Sequence, residues 1–290
     1  MASMKEIKQR IENVSSTENI IRAMDLVAST KLHRLRERLE GVRPIYRELK
    51  RVAAEIGREE KVKDNVFYAE RNVRSSLYIV ITADQGFSGA YNANIASKAL
   101  EHMEGKKEKI LAVGAKGLEY FTQKKKNIIR KLIDLPDAHV YYGTESLAGW
   151  VQDLFLSEQV DEVFVAYTRF HNVLSYEPCV EKLLPVPTNG EPGGFSSRKY
   201  EPDLETFIKN VIFLYLHMCL FAAFTEAHTS EQAARMVSMD AAQKNAEEMI
   251  EKLIHMYNRK RQAAITQELS EIIGGSNFIN KGDPDDKEYR

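Results

Sequence analysis

DLETFIKNVIFLYLHMCLFAAFTEAHTSEQAARMVSMDAAQKNAEEMIEKLIHMYNRKRQAAITQELSEII, from Asp203 to Ile273, runs for 71 positions without a glycine or a proline and is rich in Ala, Glu, Met, Gln and Leu. Such residues lose little freedom in a helix, so the stretch reads as one helix roughly 105 Å long. Ordinary helices average roughly 11 to 12 residues, and the surface of one small domain cannot hold a helix this long. It needs a partner along its length. Met239, Ala242, Ala246, Met249, Leu253 and Met256 recur at steps of 3, 4, 3, 4 and 3, the seam of a coiled coil.

A second heptad helix is read at the other end of the chain. Ala2 to Glu40 also lacks glycine and proline, and Met4, Ile7, Ile11, Val14, Glu18, Ile21, Asp25, Ala28, Leu32, Leu35, Leu39 and Val42 keep the same alternation of steps. The two seams match when the helices run antiparallel with paired positions summing to 260, as in Ile7 with Leu253 and Val14 with Ala246. Slips of one heptad leave sums of 253 and 267 open. Beyond Lys260 the C-terminal helix then projects alone, with Ile265, Leu269 and Ile272 as an unpaired apolar stripe. Glu18 and Asp25 put charge on the N-terminal seam, which points to a surface that also faces something else. From Lys31 to Arg51 there are eight Lys or Arg against three Glu, read either as a solvated face or as a contact with an acidic partner. Gly41 and Pro44 are expected to break or kink the helix, whose pattern resumes from Tyr46 to Ile56.

Between the helices the period changes. Ser76 to Ala83 (SLYIVITA), Lys109 to Gly114 (KILAVG) and Val160 to Thr168 (VDEVFVAYT) read as buried strands, with helices over Tyr91 to Met103, from Lys116, and over Ser146 to Leu156. Strands alternating with helices imply a parallel sheet with right-handed crossovers. Tyr176 to Leu184 reads as a last extended segment and Pro185 to Pro202 as a loop. On its residues alone the chain reads as an α/β unit with a parallel sheet between two long heptad helices. Its expected units are 1–57, 70–202 and 203–275, with 276–290 as a tail that has nothing to bury.

Composition narrows the function. The chain has 290 residues and a formal net charge of −1, which argues against a general nucleic-acid binder. Cys179 and Cys219 are too few for a disulfide framework and fit a reducing compartment. Met1 to Arg10 is charged and reads as amphipathic helix rather than as a secretion signal. The most apolar run, Val211 to Phe224, falls short of the roughly 20 residues of a spanning helix and reads as buried core. The turn Asp84-Gln85-Gly86-Phe87-Ser88-Gly89 and Gly114-Ala115-Lys116-Gly117 both lack a phosphate-binding glycine fingerprint, so each reads as a tight strand-to-helix turn. The seven histidines form no ligand pair, and Ser88 sits one residue short of a nucleophile elbow.

Four stretches carry a resemblance. They are Ala23 to Lys31 (AMDLVASTK), Ile81 to Asn92 (ITADQGFSGAYN), Ser230 to Met239 (SEQAARMVSM) and Tyr257 to Leu269 (YNRKRQAAITQEL). On these the chain resembles the gamma-subunit family of bacterial ATP synthases, from Ala2 to Gly275. The resemblance implies a fold of α/β plus a long coiled coil, antiparallel N- and C-terminal helices with an inserted Rossmann-like parallel-sheet domain, and a non-catalytic rotary shaft at the cytoplasmic face of the plasma membrane, without catalytic residues, cofactor or metal. Its coil would stand inside a hexamer of alpha and beta subunits, its foot on the epsilon subunit and the membrane c-ring, and ion flow would turn it. By position, Met24, Arg235, Arg261, Gln262, Thr266 and Glu268 would meet the surrounding subunits. Gln85 and Ser88 replace the arginine and cysteine usual in the family's turn, and the paired cysteines of thiol-regulated relatives are missing. Two rival readings are a nucleotide-binding α/β enzyme and a stand-alone coiled-coil protein.

Overall fold

The computed structural model describes residues 3–188, 200, 201 and 203–279. Two helices dominate it: α1 (Met4–Gly57) and α5 (Leu204–Ile279). Between them come β1 (Ser76–Ile81), α2 (Tyr91–His102), β2 (Glu108–Val113), α3 (Ala115–Gln123), β3 (Ile128–Leu132), α4 (Val140–Leu156), β4 (Glu162–Asn172) and β5 (Ser175–Leu184). The chain forms two compact units that divide inside both long helices, after Asp25 and after Ser238.

Both long helices begin on side-chain caps. Ser3 Oγ accepts from the Glu6 amide at 3.2 Å while Glu6 accepts from the Ser3 amide at 2.7 Å, a reciprocal capping box. Asp203 accepts from the Thr206 amide at 2.9 Å, and that bond at a helix start holds its carboxyl below the usual value. α1 passes through Gly41 and Pro44 as one helix, so the expected break is absent. Val42 is buried beside Leu39, and Glu40, whose carbonyl loses its amide donor at Pro44, is exposed to water. α5 continues through Gly274 and Gly275 to Ile279, past its expected end; the tail expected from 276 lies outside the described residues from 280 onward.

The larger unit holds a five-stranded sheet in the order β3-β2-β1-β4-β5. β1 to β4 are parallel, and β5 returns antiparallel along β4. All six residues of β1 are buried, because apolar side chains are needed on both faces of a central parallel strand. Leu77, Ile79 and Ile81 point into a core shared with α1, α4 and α5, whereas Tyr78 and Val80 point to the opposite core beneath α2 and α3. α5 belongs to the first core. From Tyr215 to Arg235 every residue except His228 is buried, so this part of α5 is covered on all sides. α5 also contains a window apolar enough to cross a membrane, and 67% of that window is buried inside the protein. β3 was not foreseen: its Arg130 and Lys131 break the apolar run, as charges do on an edge strand, and the Arg130 guanidinium lies 4.7 Å from the Trp150 ring.

In the smaller unit the start of α1 and the end of α5 form a two-helix coil. Met239, Ala246 and Leu253 are buried at heptad spacing, but Met249 and Met256 are 45% and 50% exposed. Ile250 and Tyr257, one residue further on, are the half-buried ones. The expected seam is thus right at its first position and one residue early at its second. A step of four fits the heptad as well as a step of three, and it covers the β-branched and aromatic side chains rather than the flexible methionines. On α1, Ile7 is buried and Ile11, Val14, Glu18, Ile21 and Asp25 are half-buried, in the expected stripe. Ile7, Leu253 and Met256 line one cavity of about 810 Å³ that Ala246 does not reach, which sets aside the register summing to 253.

Candidate functional site

Three places in the larger unit concentrate polar side chains where the packing is tightest. The first is the turn after β1. Asp84 accepts from the Ala115 amide at 2.9 Å and from the Asp134 amide at 3.1 Å, so one carboxylate ties the exits of β1, β2 and β3 together. It also occupies the amino end of α3, where the positive helix terminus would otherwise attract an anion. Thr82 donates to the Val113 carbonyl at 2.7 Å and accepts from the Gly117 amide at 2.8 Å. Gly114 has φ of +85°, and a Cβ there would lie 2.3 Å from the Thr82 carbonyl oxygen. Gly114 serves close packing of backbone on backbone and Gly117 close packing on the Thr82 side chain, the physical content of a turn without a phosphate fingerprint. Asn92 accepts from the Ala83 amide at 2.8 Å and closes the turn from the start of α2.

The second place is the face of α5 against that turn. Arg235 donates to Glu231 at 2.6 Å and to the Gly86 carbonyl at 3.3 Å, while its Nε is buried without a partner. It does not stand free on the surface: it braces a turn whose next residue, Phe87, is 68% exposed. Arg235, Glu231, Asp84, His228, Asp137 and Lys31 line a cavity of about 300 Å³. His228 stands 3.3 Å from Asp137, and that hydrogen bond, against the effect of burial, holds the Asp137 carboxyl below its ordinary value.

The third is a pair of partly buried ionic clusters. Arg43 grips Glu226 through two bonds of 2.8 and 2.9 Å, and Glu226 also accepts from the Phe170 amide at 2.7 Å. That pairing with Glu226 raises the Arg43 pKa. Glu181 accepts from Lys50 at 3.1 Å, from the Tyr167 hydroxyl at 2.9 Å and from Arg169. Burial pushes the Glu181 carboxyl up, but Lys50, Tyr167 and Arg169 outweigh it and the net shift is downward. None of these clusters was visible in the sequence, because Arg43 and Glu226 are 183 positions apart and no local pattern links them. Burial pushes the thiols of Cys179 and Cys219 up to about 11 and about 12, so neither is a thiolate at neutral pH. Among the described residues, no group of three His, Cys, Asp or Glu could hold a metal ion.

The remaining positions singled out in the sequence belong to the smaller unit. Met24 is half-buried on α1. Arg261, Gln262, Thr266 and Glu268 are all exposed near the end of α5, where from Arg261 to Ile273 only Ala264 is even partly covered. The Thr266 hydroxyl donates to the Gln262 carbonyl at 2.9 Å, so it is satisfied within its own helix. Ile265, Leu269, Ile272 and Ile273 are between 47% and 68% exposed beside them. The structure therefore gathers four of the six positions on one bare helix, and holds Arg235 in an internal pair.

Comparison with known proteins supplies the family. A family model described as ATP synthase matches residues 3–278. The ATP synthase gamma chain of Desulforamulus reducens is 37% identical over 95% of this chain and 99% of its own length. That of Moorella thermoacetica is 36% identical over 96% of this chain and all of its own length. A gamma chain described as sodium ion specific, from Acetobacterium woodii, is 34% identical over 96% of this chain and 99% of its own. In fold, a chain of the Euglena gracilis mitochondrial ATP synthase aligns with a TM-score of 0.70 at 19% identity, covering 99% of both chains. A chain from the central stalk and c-ring of the Tetrahymena thermophila enzyme aligns at 0.63 and 24% identity, covering 77% of this chain and 99% of that one.

Proposed function

Because the chain belongs to the ATP synthase gamma-chain family, we propose that it is the central rotary shaft of that complex, coupling ion flow through the membrane sector to conformational cycling of the catalytic beta subunits. It is a non-catalytic subunit of a membrane-associated complex. The observation that carries the mechanical reading is the bare end of α5. Four apolar side chains and the polar groups of Arg261, Gln262 and Glu268 stand exposed on a helix with no cover of its own. An isolated helix in water is marginal, and such a stripe calls for a sleeve. The sleeve in this reading is the hexamer of alpha and beta subunits, with Arg261, Gln262, Thr266, Glu268 and Met24 as its contacts. Arg235 acts one step back, positioning the turn that carries Phe87. The foot of the shaft is the α/β unit, which meets the epsilon subunit and the c-ring at the cytoplasmic face of the membrane.

The chemistry of torque asks for stiffness rather than for a reactive group. A buried side chain cannot rotate past its neighbours without opening the core, so the stretch of α5 from Tyr215 to Arg235 is fixed to the sheet, α1 and α4. The backbone ladder of α5 then runs uninterrupted to Ile279. Replacing Arg261 and Gln262 together by Ala in the assembled complex is expected to lower coupled ATP synthesis by about tenfold, the loss of one or two charge-assisted bonds. The isolated chain should keep its helix content and melting temperature. Unchanged synthesis, or an equal loss of melting temperature, would defeat the reading.

A further inference from the structure

The two edges of the sheet carry opposite charge. At the amino ends of β1 to β4 the segments 71–75, 104–109, 124–127 and 157–162, with Lys182 beside them, hold nine Lys or Arg against five Asp or Glu. At the carboxyl ends, segments 83–89, 114–116, 133–139 and 170–177 hold four acidic residues against Lys116 alone. A chain of nearly zero net charge thus presents one strongly basic rim, and a concentrated field of one sign attracts the opposite ion.

Within that rim lies an open pocket of about 440 Å³ whose lining includes the cations Arg71, Arg74, Lys107 and Lys109, the carboxylates Glu158 and Asp161, and Ser75. Two of its cations are fixed. Arg71 donates to the Phe155 carbonyl at 3.2 Å with its guanidinium 4.4 Å from the Phe155 ring centre, and Lys109 donates to the Gln159 carbonyl at 2.8 Å. Asp161 spends one oxygen on the amides of Arg74 and Ser75, at 2.7 and 3.0 Å, and so shapes the pocket floor. The side chains of Arg74 and Lys107 make no hydrogen bond or ion pair within the described residues. Ser75 is only 8% exposed, yet its hydroxyl has no partner. A buried unpaired hydroxyl costs stability, and it and the exposed unpaired cations that line the same pocket are groups that a tetrahedral oxyanion satisfies.

We propose that this pocket binds a phosphate-type oxyanion, with Arg74 and Lys107 as the mobile charges that close on it and Arg71 and Lys109 as the fixed ones. The volume admits a phosphate together with part of whatever carries it. Calorimetric titration of the full chain with inorganic phosphate, at constant ionic strength, is expected to show saturable binding. Arg74→Gln with Lys107→Gln should weaken it by about tenfold, whereas Lys124→Gln with Lys125→Gln, which removes equal charge from the same rim outside the pocket, should change it by less than about twofold. All four side chains are exposed, so both variants should melt with the parent. If the pocket pair does not, Ser75→Ala gives the same test at unchanged charge. Co-sedimentation with phosphatidylcholine vesicles, with and without phosphatidylglycerol, separates the sources. Vesicle binding that only the pocket variants weaken, without uptake of free phosphate, identifies a lipid headgroup; uptake of free phosphate without vesicle binding identifies a soluble ligand. No binding in either arm, or equal loss from both double variants, overturns the proposal.

Discussion

One helix lives two lives in this chain. Between Tyr215 and Arg235, α5 buries every residue but His228, including Thr225, Glu226, Thr229, Ser230, Glu231, Gln232 and Arg235. Between Asp240 and Ile273 only Ala246 and Leu253 are buried. Helix propensity is high in both, so propensity does not make the difference. In the first stretch the polar groups find partners nearby or across the core, with the Arg235 Nε as an exception: Thr225 donates to the Phe221 carbonyl at 2.8 Å, Ser230 to the Thr168 carbonyl at 3.0 Å, and Glu226 holds Arg43. In the second stretch one side of the helix is covered and the polar groups point to water, as in Lys244 with Asp240 and Gln243 with Glu247. The comparison teaches that a helix is made core or surface by what surrounds it, and that burial of polar residues is tolerated where every bond is made.

The comparison can be broken at its strong end first. Phe224 is fully buried, and Phe224→Ala should cost about 3 to 5 kcal/mol, while Leu269→Ala on the bare end should stay within about 0.5 kcal/mol. Thermal unfolding of the two full-length variants reads the contrast, and similar losses would mean that the two stretches are not energetically distinct. Next in size, Glu226→Gln leaves Arg43 without its carboxylate at a site where Glu226 is 7% and Arg43 27% exposed; about 2 to 3 kcal/mol should be lost, by denaturant titration.

A smaller effect follows from Glu181, whose carboxyl is held below its ordinary value of 4.5. A depressed folded value means that the contribution is present above about pH 4.5 and disappears as pH falls through that lower folded value. Glu181→Gln should therefore be about 1 to 2 kcal/mol less stable at neutral pH and converge with the parent in acid, measured by urea midpoints across pH. A gap of constant size at all pH values would assign the effect to packing. The smallest contrast sharpens the seam: Ile250→Ala should cost about 1 kcal/mol and Met249→Ala less than about 0.5 kcal/mol, read from amide exchange in that part of α5. The reverse order would restore the step of three.

Much of this architecture was legible before the structure. β1, β2 and β4 announced themselves as apolar runs because a strand buried on both faces must be apolar at successive positions. β3 stayed hidden because it is an edge strand whose Arg130 and Lys131 satisfy solvent rather than core. Of the break or kink expected at Gly41 and Pro44, the break is absent for a related reason: a proline signals a lost hydrogen bond, but not whether its neighbours are held firmly enough for the helix to continue. Of the six positions expected to meet partner subunits, Arg261, Gln262, Thr266 and Glu268 stand exposed at the end of α5, whereas Arg235 is buried, paired with Glu231 four positions away and with the Gly86 carbonyl on a turn 149 positions away.

By itself the sequence determined the two long helices, the parallel-sheet unit between them, and the want of a phosphate-binding glycine loop at the strand exits, since all three are matters of local periodicity and of residues that permit or forbid a backbone shape. Only the tertiary structure decided that Ile250 rather than Met249 joins the seam, that Asp84 ties three strand exits together, that Glu226 and Glu181 hold partly buried cations, and that basic residues from separate turns gather on one rim. The physical reason is the range of the forces. A helix or strand signal is set by neighbours within a turn or two, whereas the partner of a buried charge comes from wherever the fold brings another chain segment within hydrogen-bond reach.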